Sequence, residues 1–215
     1  MKNLHLFLSI ATLIVLSQFG YAQITGSSHD FSGQSWNPGG ANAEICVVCH
    51  TPHNANTSVV NAPLWNHALS ATATYTMYSS ATMNAVTTGQ PDGSSKLCLS
   101  CHDGTVALEN FGGVTSGTHL MTGNAAVGSG ANLSNDHPIS ITYDAALATA
   151  DGGLFNPTTK LSGIGGASQT ISTSMLIGGK MQCSSCHDVH NSANIAGLLL
   201  KSNAASALCL TCHNK

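Results

Sequence analysis

The sequence contains no arginine, and its six cationic side chains are lysines scattered singly at 2, 96, 160, 180, 201 and 215. Without a basic stripe or cluster there is no electrostatic footprint for a nucleic-acid partner. Charge of either sign is scarce, at 7% of residues, which separates the chain from the highly charged disordered class. Aromatic residues are also scarce, at 5%, while glycine occurs 22 times. Side chains of this composition are poor material for a conventional packed core, so something else must supply apolar bulk.

No cysteine is spare. All eight fall in four copies of one pentapeptide: Cys46 to His50, Cys98 to His102, Cys183 to His187 and Cys209 to His213, each Cys-x-x-Cys-His. Two cysteines at this spacing each add across a vinyl group of haem, and the adjoining histidine is carried beneath the porphyrin to ligate iron. Zinc knuckles also use Cys-x-x-Cys pairs, but zinc does not require a histidine after every second cysteine. A disulfide framework suits an exported chain, yet has no reason to repeat one pentapeptide four times. The reading is four covalent c-type haems, held by Cys46, Cys49, His50, Cys98, Cys101, His102, Cys183, Cys186, His187, Cys209, Cys212 and His213. Porphyrins are large apolar discs, and burying them at roughly 25 cal/mol per Å² supplies the missing core. The haem-free chain is accordingly expected to be largely unfolded.

The segment from Lys2 through the apolar run Leu4 to Leu16 to Gly20-Tyr21-Ala22 has the organisation of a secretory signal. The run is shorter than the roughly 20 apolar residues of a membrane span. Cleavage is expected after Ala22, leaving no membrane span and an exported chain, extracellular or at the cell surface, otherwise periplasmic.

Within residues 23–215 the motifs form two pairs. Residues 23–110 make a first haem-pair segment and 134–215 a second, joined by a Gly, Ser and Thr-rich loop over 111–133, within one haem-cored unit. Each pair opens with Cys-x-x-Cys-His followed three residues later by another histidine (His50 and His53; His187 and His190) and closes with Leu-Cys-Leu-x-Cys-His. Regular structure is expected to be sparse: mostly coil, with a few short helices and short strands wrapped around four haems. Ser94 or Ser95 is a candidate cap for a helix carrying Cys98 and Cys101, and Ser202 or Asn203 for one carrying Cys209 and Cys212. Thr74 to Tyr78 and Ile139 to Tyr143 alternate as short strands do.

Four irons need four further ligands, and His29, His53, His67, His119, His137 and His190 remain. Imidazole on both sides leaves iron with no open position, which suits carriage of electrons rather than binding of substrate. Methionine is the competing ligand, but Met77, Met83, Met121, Met175 and Met181 show no repeated placement. His53 and His190 share an offset that aims them at irons neighbouring their own clamp. His29 and His137 have acidic neighbours, Asp30 and Asp136, able to orient a ring. His67 stands open between a ligand role and packing against Trp65, and His119 is read as uncommitted.

The runs Ser28-His29-Asp30-Phe31-Ser32, Cys46 to His53, Pro63-Leu64-Trp65-Asn66, Leu97 to Thr105, Asn135 to Ser140 and Cys183 to His190 together resemble the bacterial multihaem cytochromes with doubled Cys-x-x-Cys-His motifs. Tetrahaem extracellular cytochromes of the OmcE type, which polymerise into filaments, are among them. The resemblance implies His29, His53, His137 and His190 as distal ligands, with His67 in reserve. It further implies a homo-polymer in which one distal ligand, here His53, comes from a neighbouring subunit. Val189 departs from the family's Cys-His-Asp-Pro-His. The expected function is electron transfer, an extracellular conduit exchanging electrons with redox partner proteins and an extracellular acceptor, and not an enzyme. The alternatives are a soluble periplasmic tetrahaem shuttle and a multihaem reductase, the latter disfavoured by the surplus of histidines over irons and the lack of a Cys-x-x-Cys-Lys motif.

Overall fold

Asp92 shows how this chain folds, because its carboxylate is diverted from the helix it begins. A computed structural model describes residues 23–37, 43–86 and 89–215. The expected export signal lies outside the described residues. Among those described, no helix is long and apolar enough to cross a membrane.

The regular elements in chain order are β1 (Thr76–Met77), α1 (Gly93–His102), β2 (Asn132–Leu133), β3 (Ile141–Thr142), α2 (Ala145–Asp151), α3 (Ile171–Ser174), β4 (Lys180–Met181) and α4 (Cys209–Cys212). Single 3-10 turns occur at Gly123–Ala125, Ser129–Ala131, Cys183–Ser185 and Ala204–Ser206. This mostly coil architecture with a few short helices and strands is compatible with a multihaem cytochrome. β1 pairs with β2 in parallel, Thr76 against Asn132 and Met77 against Leu133. β3 pairs with β4 antiparallel, Ile141 against Met181 and Thr142 against Lys180. One strand of each pair, β1 and β3, falls inside a segment whose alternation predicted a strand, while β2 and β4 lie outside both, and only two residues of each strand form a ladder.

The helix caps differ from expectation. α1 starts from Asp92, in extended conformation, and not from Ser94 or Ser95. The Asp92 side chain makes no cap bond, since its oxygens take the Lys180 ammonium and the Gln182 amide N–H, the latter at 2.7 Å. Ser95 is fully buried inside α1. α1 ends at Asp103, whose N–H reaches Leu99 O at 3.1 Å, followed by Gly104 in the left-handed conformation (φ +71). A Cβ on Gly104 would lie 2.8 Å from the Met121 carbonyl, so glycine is required there by space as well as by φ. The last clamp is not on one continuous helix from Ser202 or Asn203. Ala205 turns left-handed (φ +51), Asn203 Oδ1 accepts the Leu208 N–H at 3.2 Å, and only Cys209–Cys212 are α-helical.

The apolar interior is divided into three clusters. The largest gathers Ile141, Tyr143, Ile171, Met175, Met181 and Leu208 with Cys212 and, at its margin, Cys186. A second joins Val59, Trp65 and Leu97, with Cys49 against it, and a third joins Tyr75, Leu99 and Leu133. Clamp cysteines therefore border the apolar clusters, where haem burial would extend them. Met175 and Met181 are buried within the first cluster.

Candidate functional site

The first and third clamps are held by the same local device. At the first, a strap of chain, Pro63 to Asn66, runs antiparallel past His50: Thr51 N–H donates to Leu64 O at 2.9 Å, Asn66 N–H to Cys49 O at 2.9 Å, and the His50 ring Nδ1 faces Pro63 O at 2.5 Å. At the third, Gly197 to Leu200 repeats every step. Asp188 N–H donates to Leu198 O at 2.6 Å, Leu200 N–H to Cys186 O at 2.9 Å, and His187 Nδ1 faces Gly197 O at 2.9 Å. Leu64 (φ +55) and Leu198 (φ +54), the second residues of the two straps, are both left-handed. The fourth clamp keeps the backbone part, with Asn214 N–H on Gly153 O and Phe155 N–H on Cys212 O, both at 2.8 Å. At the second, His102 Nδ1 meets Ala125 O at 2.6 Å and His102 O accepts the Val127 N–H at 2.7 Å.

These carbonyls fix the rings chemically as well as sterically. An imidazole whose Nδ1–H is committed to a carbonyl presents Nε2 as its free lone pair, the arrangement of metal-bound histidines in general. His137 has it too, its Nδ1 facing Pro138 O at 2.9 Å.

Three rings stand opposite clamp rings. The centres of His29 and His102 are 6.1 Å apart, those of His50 and His190 6.1 Å, and those of His137 and His213 6.3 Å. Two metal–nitrogen bonds of about 2 Å, with about 1.1 Å from each nitrogen to its ring centre, span roughly 6.2 Å. Each ring-centre separation matches that span. Burial, reinforced by the nearby His102, His187 and His190, pushes the His29 ring down to about 4. Burial, then His137 and Lys215, pushes His213 down as well. Both shifts favour the neutral ring, the form that ligates metal.

His187 and His53 are exposed, and neither belongs to the three ring pairs, although His187 lies near enough to act on His29. His67 is fully buried, its Nδ1 2.7 Å from Ala68 O and its Nε2 3.1 Å from Ala107 O, edge-on to Trp65 at 6.4 Å between ring centres. Its Nε2 also lies 3.6 Å from Cys101 Sγ of the second clamp. His119, read as uncommitted, donates from Nδ1 to Glu109 Oε1 at 2.8 Å.

The eight cysteines carry free thiols, none joined in a disulfide. Among the described residues no three His, Cys, Asp or Glu side chains converge as a closed zinc site requires. Burial, the largest cause in each case, pushes Cys49 and Cys212 up to about 11 and Cys101 up to about 12. Such thiols are uncharged, as the thioethers replacing them would be.

A buried carboxylate beside the second clamp went unnoticed in the sequence. Asp103, which follows His102, accepts from Tyr75 Oη at 2.5 Å, Thr72 Oγ1 at 3.0 Å, the Thr105 N–H at 2.9 Å and hydroxyl at 2.8 Å, and Ser70 Oγ. It ties residues 70–75 to the end of α1. Burial alone would raise its carboxyl, but these donors hold it below the ordinary value. The available signal was Asp103-Gly104-Thr105, a turn sequence that caps the helix directly after the clamp.

Residues 177–215, which hold the third and fourth clamps, match the family model described as the doubled CXXCH motif. No curated protein matches the chain. Motifs of this kind indicate covalently bound haem c, the prosthetic group of multihaem c-type cytochromes, and with it electron transfer. The clamp cysteines would hold the porphyrin, and the clamp histidines would supply one axial ligand each.

Proposed function

We propose that the protein is an exported tetrahaem conduit in which every iron is closed by two imidazoles. The observation that carries this reading is the set of three ring pairs at an iron-spanning distance. His102 would pair with His29, His50 with His190 and His213 with His137. Saturated irons hold no substrate and change geometry little on reduction, so the protein would carry electrons between redox partner proteins and an extracellular acceptor rather than catalyse a reaction.

The remaining pair leads to assembly. His187 has a committed Nδ1 and is not in one of the three ring pairs, while His53 is exposed elsewhere on the chain. His53 of one copy would complete the site of His187 in the next, a head-to-tail contact that repeats into a filament. The segment leading from His53 to the first strap also exposes Val60 (76%) and Leu64 (57%), apolar surface suited to such an interface.

Electron microscopy of the secreted protein tests this reading. Filaments are expected, and a His53→Ala variant should yield discrete particles with one haem in four able to bind carbon monoxide. Discrete particles of the wild type at every concentration would sink the assembly and favour a soluble shuttle. Carbon monoxide binding by the reduced wild-type filament would favour a reductase.

A further inference from the structure

The second and third clamps, which belong to different haem-pair segments, meet at one point. The helix α1, which carries Cys98, packs on the 3-10 turn that begins with Cys183, and the influence of each thiol on the other pushes Cys98 up and Cys183 down. A polar lock surrounds them. Ser94 and Ser184 hydroxyls are 2.6 Å apart, Ser95 Oγ accepts the Cys183 N–H at 3.0 Å, and Ser95 N–H donates to Gln182 Oε1 at 3.3 Å. Gln182 also donates to Asp92, which receives Lys180 as well. Ser95 and Ser185 are fully buried, and Ser185 Oγ accepts the Gln182 N–H at 2.9 Å. Gly93 admits the contact, since a Cβ there would lie 3.3 Å from Gln182 Nε2.

Other clamp cysteines border apolar clusters. Cys49 packs against the Val59, Trp65 and Leu97 cluster, and Cys186 lies at the margin of the cluster holding Cys212. Apolar contacts tolerate sliding, whereas a buried polar network costs stability in any arrangement but the one that satisfies it. A junction built from serines and a glutamine is therefore suited to holding one register.

We propose that the Ser94, Ser95, Gln182 and Ser184 lock is a spacer that sets the second and third haem attachment sulfurs side by side, making Cys98 and Cys183 the crossing between the two halves of the chain. The inference rests on the haem c reading. Once alkylated, both sulfurs lose their protons, but the bonds of Ser94 to Ser184, of the Cys183 N–H to Ser95 and of the Ser95 N–H to Gln182 run through hydroxyls, backbone and an amide and persist.

Pulsed electron paramagnetic resonance of the fully oxidised holo-protein tests this. His102→Met and His187→Met each alter the ligand-field signature of one ferric centre. Both should perturb one common magnetic coupling, that between the second and third centres. Ser95→Leu, which wedges α1 away from the turn, should weaken that coupling while the mass still reports the same number of haems. Two methionine variants that perturb no common coupling, or a Ser95→Leu protein whose coupling is unchanged, would overturn the proposal. If a methionine variant does not assemble, a holo-structure decides, by whether the second and third irons are the closest pair between the halves. A wild-type preparation without low-spin ferric signals would instead remove the haem reading beneath it.

Discussion

His50 and His190 come from opposite halves of the chain, yet their rings stand 6.1 Å apart between centres with planes 24° from parallel. Under the bis-imidazole reading, removing one of them opens an iron. Holo-protein carrying His190→Ala is expected to bind carbon monoxide at one haem in four, seen as a partial Soret shift, while the wild type binds none. An unchanged spectrum in the variant would separate His190 from the iron held by His50.

The straps make a paired prediction about backbone strain. An L-residue in the left-handed region is strained by roughly 1–2 kcal/mol, which glycine relieves while giving up about 0.4–1 kcal/mol to the freer unfolded chain. Leu64 is exposed, so Leu64→Gly is expected to leave stability level or raise it by about 0.5–1 kcal/mol. Leu198 is buried, and Leu198→Gly forfeits about 1.5–3 kcal/mol of burial, more than the strain relief returns. Thermal melting of the two holo-variants measures the contrast.

Asp103 predicts a larger loss. Asp103→Asn presents amide hydrogens to hydroxyl donors already aimed at the carboxylate, and is expected to destabilise by about 2–3 kcal/mol. Tyr75→Phe removes one of the donors and is expected to cost about 1 kcal/mol. Denaturant unfolding of the holo-protein gives both numbers, and a neutral Asp103→Asn would show that the network does not stabilise the fold.

Glu109 latches the loop after the second clamp. Its carboxylate accepts the Thr118 N–H at 2.6 Å, the His119 N–H at 3.1 Å and the His119 ring, and a Cβ on Gly117 would lie 2.4 Å from its Cγ. Burial pushes the Glu109 carboxyl upward, but these donors together bring it down to about 2. A group depressed in the folded state stabilises above its unfolded value, here 4.5, and that contribution disappears as pH falls toward about 2. Protection of the Thr118 and His119 amides, taken relative to their intrinsic exchange rates, should therefore fall over this window, and Glu109→Gln should abolish that pH-dependent loss of protection.

The clamps were legible because thioether chemistry fixes cysteine spacing and leaves a repeated pentapeptide. One strand of each pair was legible as alternation, though not its partner, since pairing of Met77 with Leu133 or Ile141 with Met181 is a long-range choice. Helix starts were misread at α1 because the serines that resemble caps are used in the lock, while Asp92 serves Lys180 and Gln182. The straps were not legible. Pro63-Leu64-Trp65-Asn66 and Gly197-Leu198-Leu199-Leu200 share little sequence, because the contact to the histidine is made by backbone carbonyls that any residue supplies. His67 shows the opposite limit: its spacing left two roles open, and its surroundings, the carbonyls of Ala68 and Ala107 and the Cys101 sulfur, come from parts of the chain that its local sequence does not reveal.

The intact mass of the purified mature protein, taken with its haemochrome spectrum, tests the central claim most directly. Four covalently attached haems per chain are expected, surviving denaturation. A colourless protein, or a mass exceeding the bare polypeptide by fewer than four haems, would contradict the account.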